Sequence, residues 1–289
     1  SRYDLVVVTG YASVESWGAL FLSKFLRKKI FLAVDSSEFE YYEESKINFL
    51  KRFFVRKVDC ILGYGASTSQ LIHRLGGRDN VFVPFHCLSN EFYLDRSYIV
   101  NAKRTSFRRQ FTFLYVGRLA KEKNVLKLIA SFHSCFLGFT DVRLNIIGDG
   151  PLSHECAMAV KHLSATNIFI KGPLFGDALT SAYMMSDCFI LPSTVEPWGL
   201  VVNEALCLGT PVIVSDRCGC VRDLVDGNQD AIKFDATSQE DLERALLEAY
   251  SRFRGFDESR VQRCVELGQS YSPERAADTF FKAIESLKR

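Results

Sequence analysis

The 289-residue sequence predicts an α/β protein of two units built on doubly wound parallel sheets. Three observations carry this. Short apolar runs alternate with helical stretches along the whole chain, the pattern of strand–helix–strand units. The runs are continuous Val, Ile, Leu and Phe rather than alternating, which suits strands buried on both faces. The charge divides the chain: residues 1–109 hold 17 Lys and Arg against 11 Asp and Glu, and residues 110–289 hold 19 against 23. A basic first unit joined to a mildly acidic second one is therefore expected.

In the first unit, strands are predicted over 3–9, 29–34, 60–62 and 80–84, the last stopped by Pro84. Helices are predicted over 15–29, 46–57 and 67–75. The unit is assigned to residues 1–100. Residues 95–110 are charged and poor in large apolar groups, and the linker is placed at 101–110. The second unit, 111–271, has predicted strands at 111–116, 142–147, 167–171, 188–191, 211–215 and 231–234. Its helices are expected at 122–137, 152–164, 176–186, 200–209 and 239–253. A last helix is expected within 272–289.

Composition narrows the classes. Apolar residues make up 47% and charged residues 24%, which excludes disordered and collagen-like chains. A net charge of +2 gives no case for nucleic acid, and none is expected as a partner. No apolar run approaches the roughly 18 residues of a membrane span. The first residues read as a strand, not as a signal peptide. Nine cysteines, several inside apolar runs and none in a CxxC pair, read as reduced thiols, so a cytoplasmic location is expected. Cys218 and Cys220 are the only close pair, and without a second cluster no zinc site is expected.

Ligands of doubly wound sheets bind beyond the C-terminal ends of the strands. The richest such loop runs from Leu191 to Glu204 and contains Glu196-Pro197-Trp198-Gly199-Leu200-Val201. Gly199 permits close approach of a ligand, and the amides of Gly199, Leu200 and Val201 would be first-turn donors, an anion site. Glu196 and Glu204 suit hydroxyl groups, so the local chemistry reads as sugar, diphosphate, sugar. The plainer alternative is that both are helix-start acids favoured by the dipole. In a second loop Gly117 ends a strand, and Arg118 and Lys123 could hold one diphosphate from two sides; a solvated basic turn is the alternative. No acidic cluster of metal-site type occurs, and no metal or cofactor is expected. Gly148-Asp149-Gly150-Pro151 reads as a tight turn rather than half a dinucleotide fingerprint. Residues 171–174 form another turn. His86, in a strand-end loop, is the one histidine of interest. The basic, aromatic-bearing stretches 24–29 and 51–57 leave membrane-surface docking and solvated helix faces as alternatives.

Gly117-Arg118-Leu-x3-Lys123, Gly148-Asp-Gly-Pro, Glu196-Pro-Trp-Gly-Leu-x3-Glu204 and Gly209-Thr-Pro-Val-Ile together resemble the retaining, metal-independent glycosyltransferases of GT-B fold, group 1 or family 4. The resemblance covers about 111–289. It implies two Rossmann-like domains with the active site in the cleft between them, and a C-terminal helix that crosses back towards the first domain. It implies that Arg118 and Lys123 hold the donor diphosphate, Glu196 contacts the transferred sugar, Gly117, Pro197 and Trp198 also bind the donor, the amides of 199–201 cap the phosphates, Glu204 binds the ribose, and Lys171, Gly172, Pro173 and Leu174 border the base. The first unit resembles only the later half of the family's N-terminal domain, so it is expected to be shortened, as a fragment or by natural reduction. The family often has a His after the strand equivalent to 29–34; here Asp35 follows, and it could take a polar role toward the donor sugar.

The implied function is transfer of a hexose from a nucleoside diphosphate sugar to a glycan or lipid-linked acceptor, in polysaccharide or glycoconjugate biosynthesis. A cytoplasmic enzyme touching the inner face of the membrane through its basic unit is the expected setting. The rivals are a non-catalytic nucleotide-sugar binder or inactive partner subunit, and a nucleotide-sugar epimerase of the same fold.

Overall fold

The computed structural model describes residues 3–36, 47–77, 81–82, 86–106 and 110–287. The chain forms two compact units, Ser1–Cys87 with Tyr271–Arg289, and Leu88–Ser270.

The first unit carries a parallel sheet of β1 (Leu5–Thr9), β2 (Lys29–Val34), β3 (Cys60–Gly63) and β4 (Val81–Phe82), in that order. The remainder of the strand expected over 80–84, Pro84 included, lies outside the described residues. Its helices are α1 (Val14–Phe25), α2 (Ile47–Lys57), α3 (Ala66–Arg74) and the last helix of the chain, α11 (Pro273–Ser286). Ser13 caps α1, its Oγ accepting from the Ser16 amide at 3.2 Å. Side chains of β2 alternate between two cores. Ile30, Leu32 and Val34 pack with Leu20, Phe54, Leu71 and Ile72. Phe31 packs on the other face with Cys60, Leu62, Ala283 and Phe280. Helices on both faces explain why β2 is apolar at every position after Lys29.

The second unit is built from α4 (Arg96–Ser106), β5 (Phe111–Val116), α5 (Val125–Phe136), β6 (Val142–Ile147), α6 (Ser153–His162), β7 (Ile168–Ile170), α7 (Gly176–Met184), β8 (Cys188–Leu191), α8 (Leu200–Cys207), β9 (Val212–Ser215), β10 (Ala231–Phe234), α9 (Gln239–Arg252) and α10 (Glu258–Gln269). Its six strands run parallel in the order β10-β9-β8-β5-β6-β7. The winding reverses between β5 and β8, which pair at Phe113 with Cys188 and Leu114 with Phe189. The loops leaving these two strands therefore diverge and open a crevice. Beneath it, Phe113 packs on Phe132 and Phe136 with ring centroids 5.8 and 5.7 Å apart.

Two sequence expectations are corrected here. Most of the stretch 101–110, expected as a linker, is not one: α4 runs to Ser106, and residues 107–109 lie outside the described residues. Its charges obscure a buried stripe of Ile99, Val100 and Lys103. Arg96 and Arg104 pair with Glu266 and Glu258 of α10, itself a helix the sequence pattern did not reveal. That helix buries Val261, Cys264, Val265 and Gly268, the i, i+3, i+4, i+7 spacing of a single face. Accordingly residues 88–100 belong to the second unit and not the first. Phe92 anchors this stretch, its ring edge-on to Tyr183 at 6.4 Å.

Lys103 is buried, and its ammonium donates to Ser186 O (2.9 Å), Tyr183 O (3.3 Å) and Thr210 Oγ1 (2.7 Å). Burial lowers its pKa to about 8, opposed by the charge of Asp187. The unfolded chain therefore holds this proton more tightly between pH 8 and about 10.5, so this group makes folding more favourable as pH rises through that window. Lys103→Met should remove that rise and deprive Ser186 O and Thr210 Oγ1 of this donor, at a cost of about 1–3 kcal/mol near neutrality. Urea denaturation of both proteins from pH 7 to 10 should show the gap in stability widening with pH; a constant gap would refute the assignment.

Candidate active site

The loop after β5 is shaped by glycines on a neighbouring turn. A Cβ on Gly148 would lie 1.9 Å from Gly117 O, and one on Gly150 2.5 Å from Leu119 O, so the 148–150 turn packs backbone-to-backbone beneath residues 117–119. The Leu119 amide donates to Asp149 O (2.9 Å), and Leu119 O accepts from the Leu152 amide (2.8 Å). Tyr115 Oη donates to Arg118 O at 3.0 Å. The loop closes in a 3-10 turn, Lys121–Lys123, before Asn124 turns left-handed into α5. Arg118 remains 66% exposed and pairs with Glu122.

The loop after β8 is tied to it. The Thr194 amide (2.8 Å) and Oγ1 (3.2 Å) both donate to Glu122 O. Lys123 forms an ion pair with Glu196, their side chains only 20% and 12% exposed. Ser193 Oγ also donates to Glu196 Oε2, at 3.3 Å. From behind, the 215–220 stretch braces the loop: Ser215 Oγ donates to Ser193 O (2.5 Å), the Gly219 amide to Glu196 O (2.9 Å) and the Cys220 amide to Trp198 O (3.1 Å). A Cβ on Gly219 would sit 1.8 Å from Pro197 O, which explains the Cys-Gly-Cys spacing as a packing requirement. Burial pushes the Cys218 thiol up to about 12, so it stays protonated.

Gly199, at φ +102°, starts α8. The Val202 amide donates to Gly199 O at 2.9 Å, and among the described residues no backbone acceptor meets the amides of Gly199, Leu200 or Val201. They form the donor end expected of a helix N-terminus. Trp198 departs from the donor-contact role expected of it. Its side chain is 3% exposed and turns inward, the indole N–H donating to Asn203 Oδ1 at 2.8 Å. Glu204, one turn into α8, is part-buried and accepts from Tyr183 Oη at 2.7 Å. Burial raises its pKa, the Tyr183 hydrogen bond opposes that, and Glu91 adds to it.

Lys171, Gly172, Pro173 and Leu174 follow β7. The Lys171 amide donates to Ile146 O, and Gly172 O accepts from the Gly148 amide, both at 2.9 Å. Phe175 beside them is 79% exposed, an unused aromatic face that the sequence reading passed over. Glu122, Ser193, Thr194 and Tyr183 were also passed over. Their contacts join residues distant in sequence, and no local spacing marks them. Asp35 belongs to the first unit, where it lines a hollow of about 530 Å³ with Thr9, Gly10, Tyr64, His86 and Cys87. There Tyr64 and His86 stack at 4.3 Å, and burial lowers the His86 pKa. Among the described residues no three His, Cys, Asp or Glu are grouped to hold a metal ion.

The second unit thus places two cations, a helix N-terminus and two carboxylates on the loops after β5 and β8 and the first turns of α8, at the reversal of the sheet. Such a set can bind a diphosphate flanked by hydroxyl-bearing groups. The family model for glycosyl transferases group 1 matches residues 99–260, more than half of the chain. The chain belongs to this family. It is 34% identical over 117 residues to sulfoquinovosyl transferase SQD2 of Arabidopsis thaliana, covering 40% of this chain and 21% of that one. It is 37% identical over 111 residues to a GDP-mannose-dependent alpha-mannosyltransferase of Mycolicibacterium smegmatis, covering 38% and 27%. These matches span only about a quarter of the relatives' length. Among solved structures, Anabaena HepE in complex with UDP superposes with a TM-score of 0.75 at 15% identity, covering 99% of this chain and 79% of HepE. The fold is thus of the GT-B glycosyltransferase type, with two parallel-sheet units.

The chain should tolerate no side chain at residue 219. Gly219→Ala is expected to destabilise it by at least about 2 kcal/mol, because its Cβ would overlap a carbonyl rather than a movable side chain. Chemical denaturation measures this; a shift within error would show that the Glu196 loop is not braced there.

Proposed function

We propose that the chain transfers a hexose from a nucleoside diphosphate sugar to a glycan or lipid-linked acceptor, with retention of configuration and without a metal, in polysaccharide or glycoconjugate biosynthesis. The observation that carries this reading is the joining of Lys123 to Glu196 where β5 and β8 part, next to the amides of 199–201. The bond from the sugar's anomeric carbon to the diphosphate oxygen breaks, and the acceptor oxygen bonds to the same carbon on the same face. The acceptor's proton passes to the departing phosphate oxygen. Arg118, Lys123 and the helix amides receive the charge that develops on the diphosphate, and their preorganisation supplies the rate. Glu196 contacts the transferred sugar, Glu204 the ribose, and residues 171–174 the base. Asp35 is assigned a polar contact to the donor sugar.

Lys123→Ala should lower transfer at least ~100-fold while the protein still folds. The test is a turnover screen of UDP-, GDP-, ADP- and dTDP-sugars, repeated with chelator, with the product anomer read by NMR. Full activity in a folded Lys123→Ala protein refutes the role of this loop. Donor binding without turnover favours the non-catalytic reading, an inverted product refutes retention, and loss of activity with chelator refutes metal independence.

Two features support a cytoplasmic, membrane-contacting setting. All nine cysteines are free thiols. In α1 and α2, Phe21, Phe25, Phe49 and Leu50 are exposed on elements that also carry Lys24, Lys51, Arg52 and Arg56, the composition of an interfacial helix. No helix among the described residues is long and apolar enough to cross a membrane. The protein should sediment with vesicles containing anionic lipid and not with purely zwitterionic ones. Equal sedimentation with both, or with neither, would refute contact of this kind.

A further inference from the structure

One oxygen of Glu204 is held before any ligand arrives. Tyr183 Oη donates to Glu204 Oε2 at 2.7 Å, and among the described residues no hydrogen bond reaches Oε1. The tyrosine itself cannot move far. It is fully buried in α7, with its ring against Phe189 at 5.7 Å and edge-on to Phe92 at 6.4 Å. Its carbonyl accepts from Thr210 Oγ1 (2.9 Å) and Lys103 Nζ (3.3 Å), and Lys103 donates onward to Thr210 Oγ1 (2.7 Å). A donor fixed at both ring and backbone dictates where its acceptor must stand. Glu204, by contrast, is a flexible side chain at the edge of solvent.

We propose that Tyr183 is a positioning residue that fixes Oε2 of Glu204, leaving the rest of the carboxylate to accept the ribose hydroxyl groups of the donor. This rests on the donor-site reading above. Tyr183 has a second effect through the same bond. Burial and the charge of Glu91 push the Glu204 carboxyl up, and the Tyr183 hydrogen bond is what opposes them. The other titratable neighbour, the Cys207 thiol, is pushed up to about 12 and stays neutral. Loss of the hydroxyl should therefore move protonation of Glu204 to higher pH, where a neutral carboxyl accepts hydrogen bonds more weakly.

The test is calorimetric binding of the tightest of UDP, GDP and ADP and of its 2′-deoxy analogue, to wild type, Glu204→Gln and Tyr183→Phe. Wild type should prefer the ribonucleotide ~10-fold, and Glu204→Gln should lose that preference. Tyr183→Phe should bind the ribonucleotide ~5-fold more weakly and the deoxy analogue almost unchanged, with the acid limb of binding displaced to higher pH. Equal weakening of both ligands, or an intact preference, would show that the tyrosine only packs. If Glu204→Gln loses the preference and Tyr183→Phe keeps it, this inference falls and the donor site stands. If wild type binds no nucleoside diphosphate, both fall. Should Tyr183→Phe fail to fold, wild-type protein with 13C-labelled tyrosine supplies the answer: the Tyr183 signal should shift with the ribonucleotide more than with the deoxy analogue, and equal responses overturn the proposal.

Discussion

The parallel pairing of β5 with β8 is the constraint on which the second unit depends. These strands are neighbours in the sheet but are separated in sequence by β6 and β7, because the chain winds one way and then the other. Their loops must leave in opposite directions, and the gap so created lies at the edge of a dry aromatic core. The Lys123–Glu196 pair is attached to that gap. Lys123 comes from one side and Glu196 from the other, and Thr194 ties the two loops through a single carbonyl oxygen.

Packing and chemistry share residues here. Gly148, Gly150 and Gly219 bear no reactive group, yet each allows one loop backbone to rest directly on another. Trp198, expected at the donor, is instead a wedge that locks the first turn of α8 through Asn203. The donor amides at 199–201 are dependable because the residue before them is buried. Precision of this kind comes from backbone contacts, which bend less than side chains do.

Much of this was legible in the sequence. The strands were visible because burial on both faces leaves unbroken apolar runs, as in Phe111–Val116. The cations, the two glutamates and Gly199 were visible because they sit on short local spacings. The helices α4 and α10 were not, since each buries few residues among many charges and is stabilised by pairing with the other. Tyr183 was invisible for a different reason. Its partner Glu204 lies 21 residues away, beyond β8, and only the fold brings them within 2.7 Å. Trp198 was misjudged because an indole in a loop carries no sign of which way it turns.

The ion pairs of the site bear on what it refuses. Arg118 is already matched by Glu122 and Lys123 by Glu196, so the clamp rests near electrical neutrality. An incoming anion must exchange partners with a carboxylate, and bare attraction gains little from that exchange. Inorganic phosphate or pyrophosphate would displace glutamates and leave them with no hydroxyl groups to accept. A sugar nucleotide brings those hydroxyl groups on both sides of its diphosphate. On the donor-site reading proposed above, the acidic residues beside the clamp would favour an anion that carries hydroxyl groups over a bare small one.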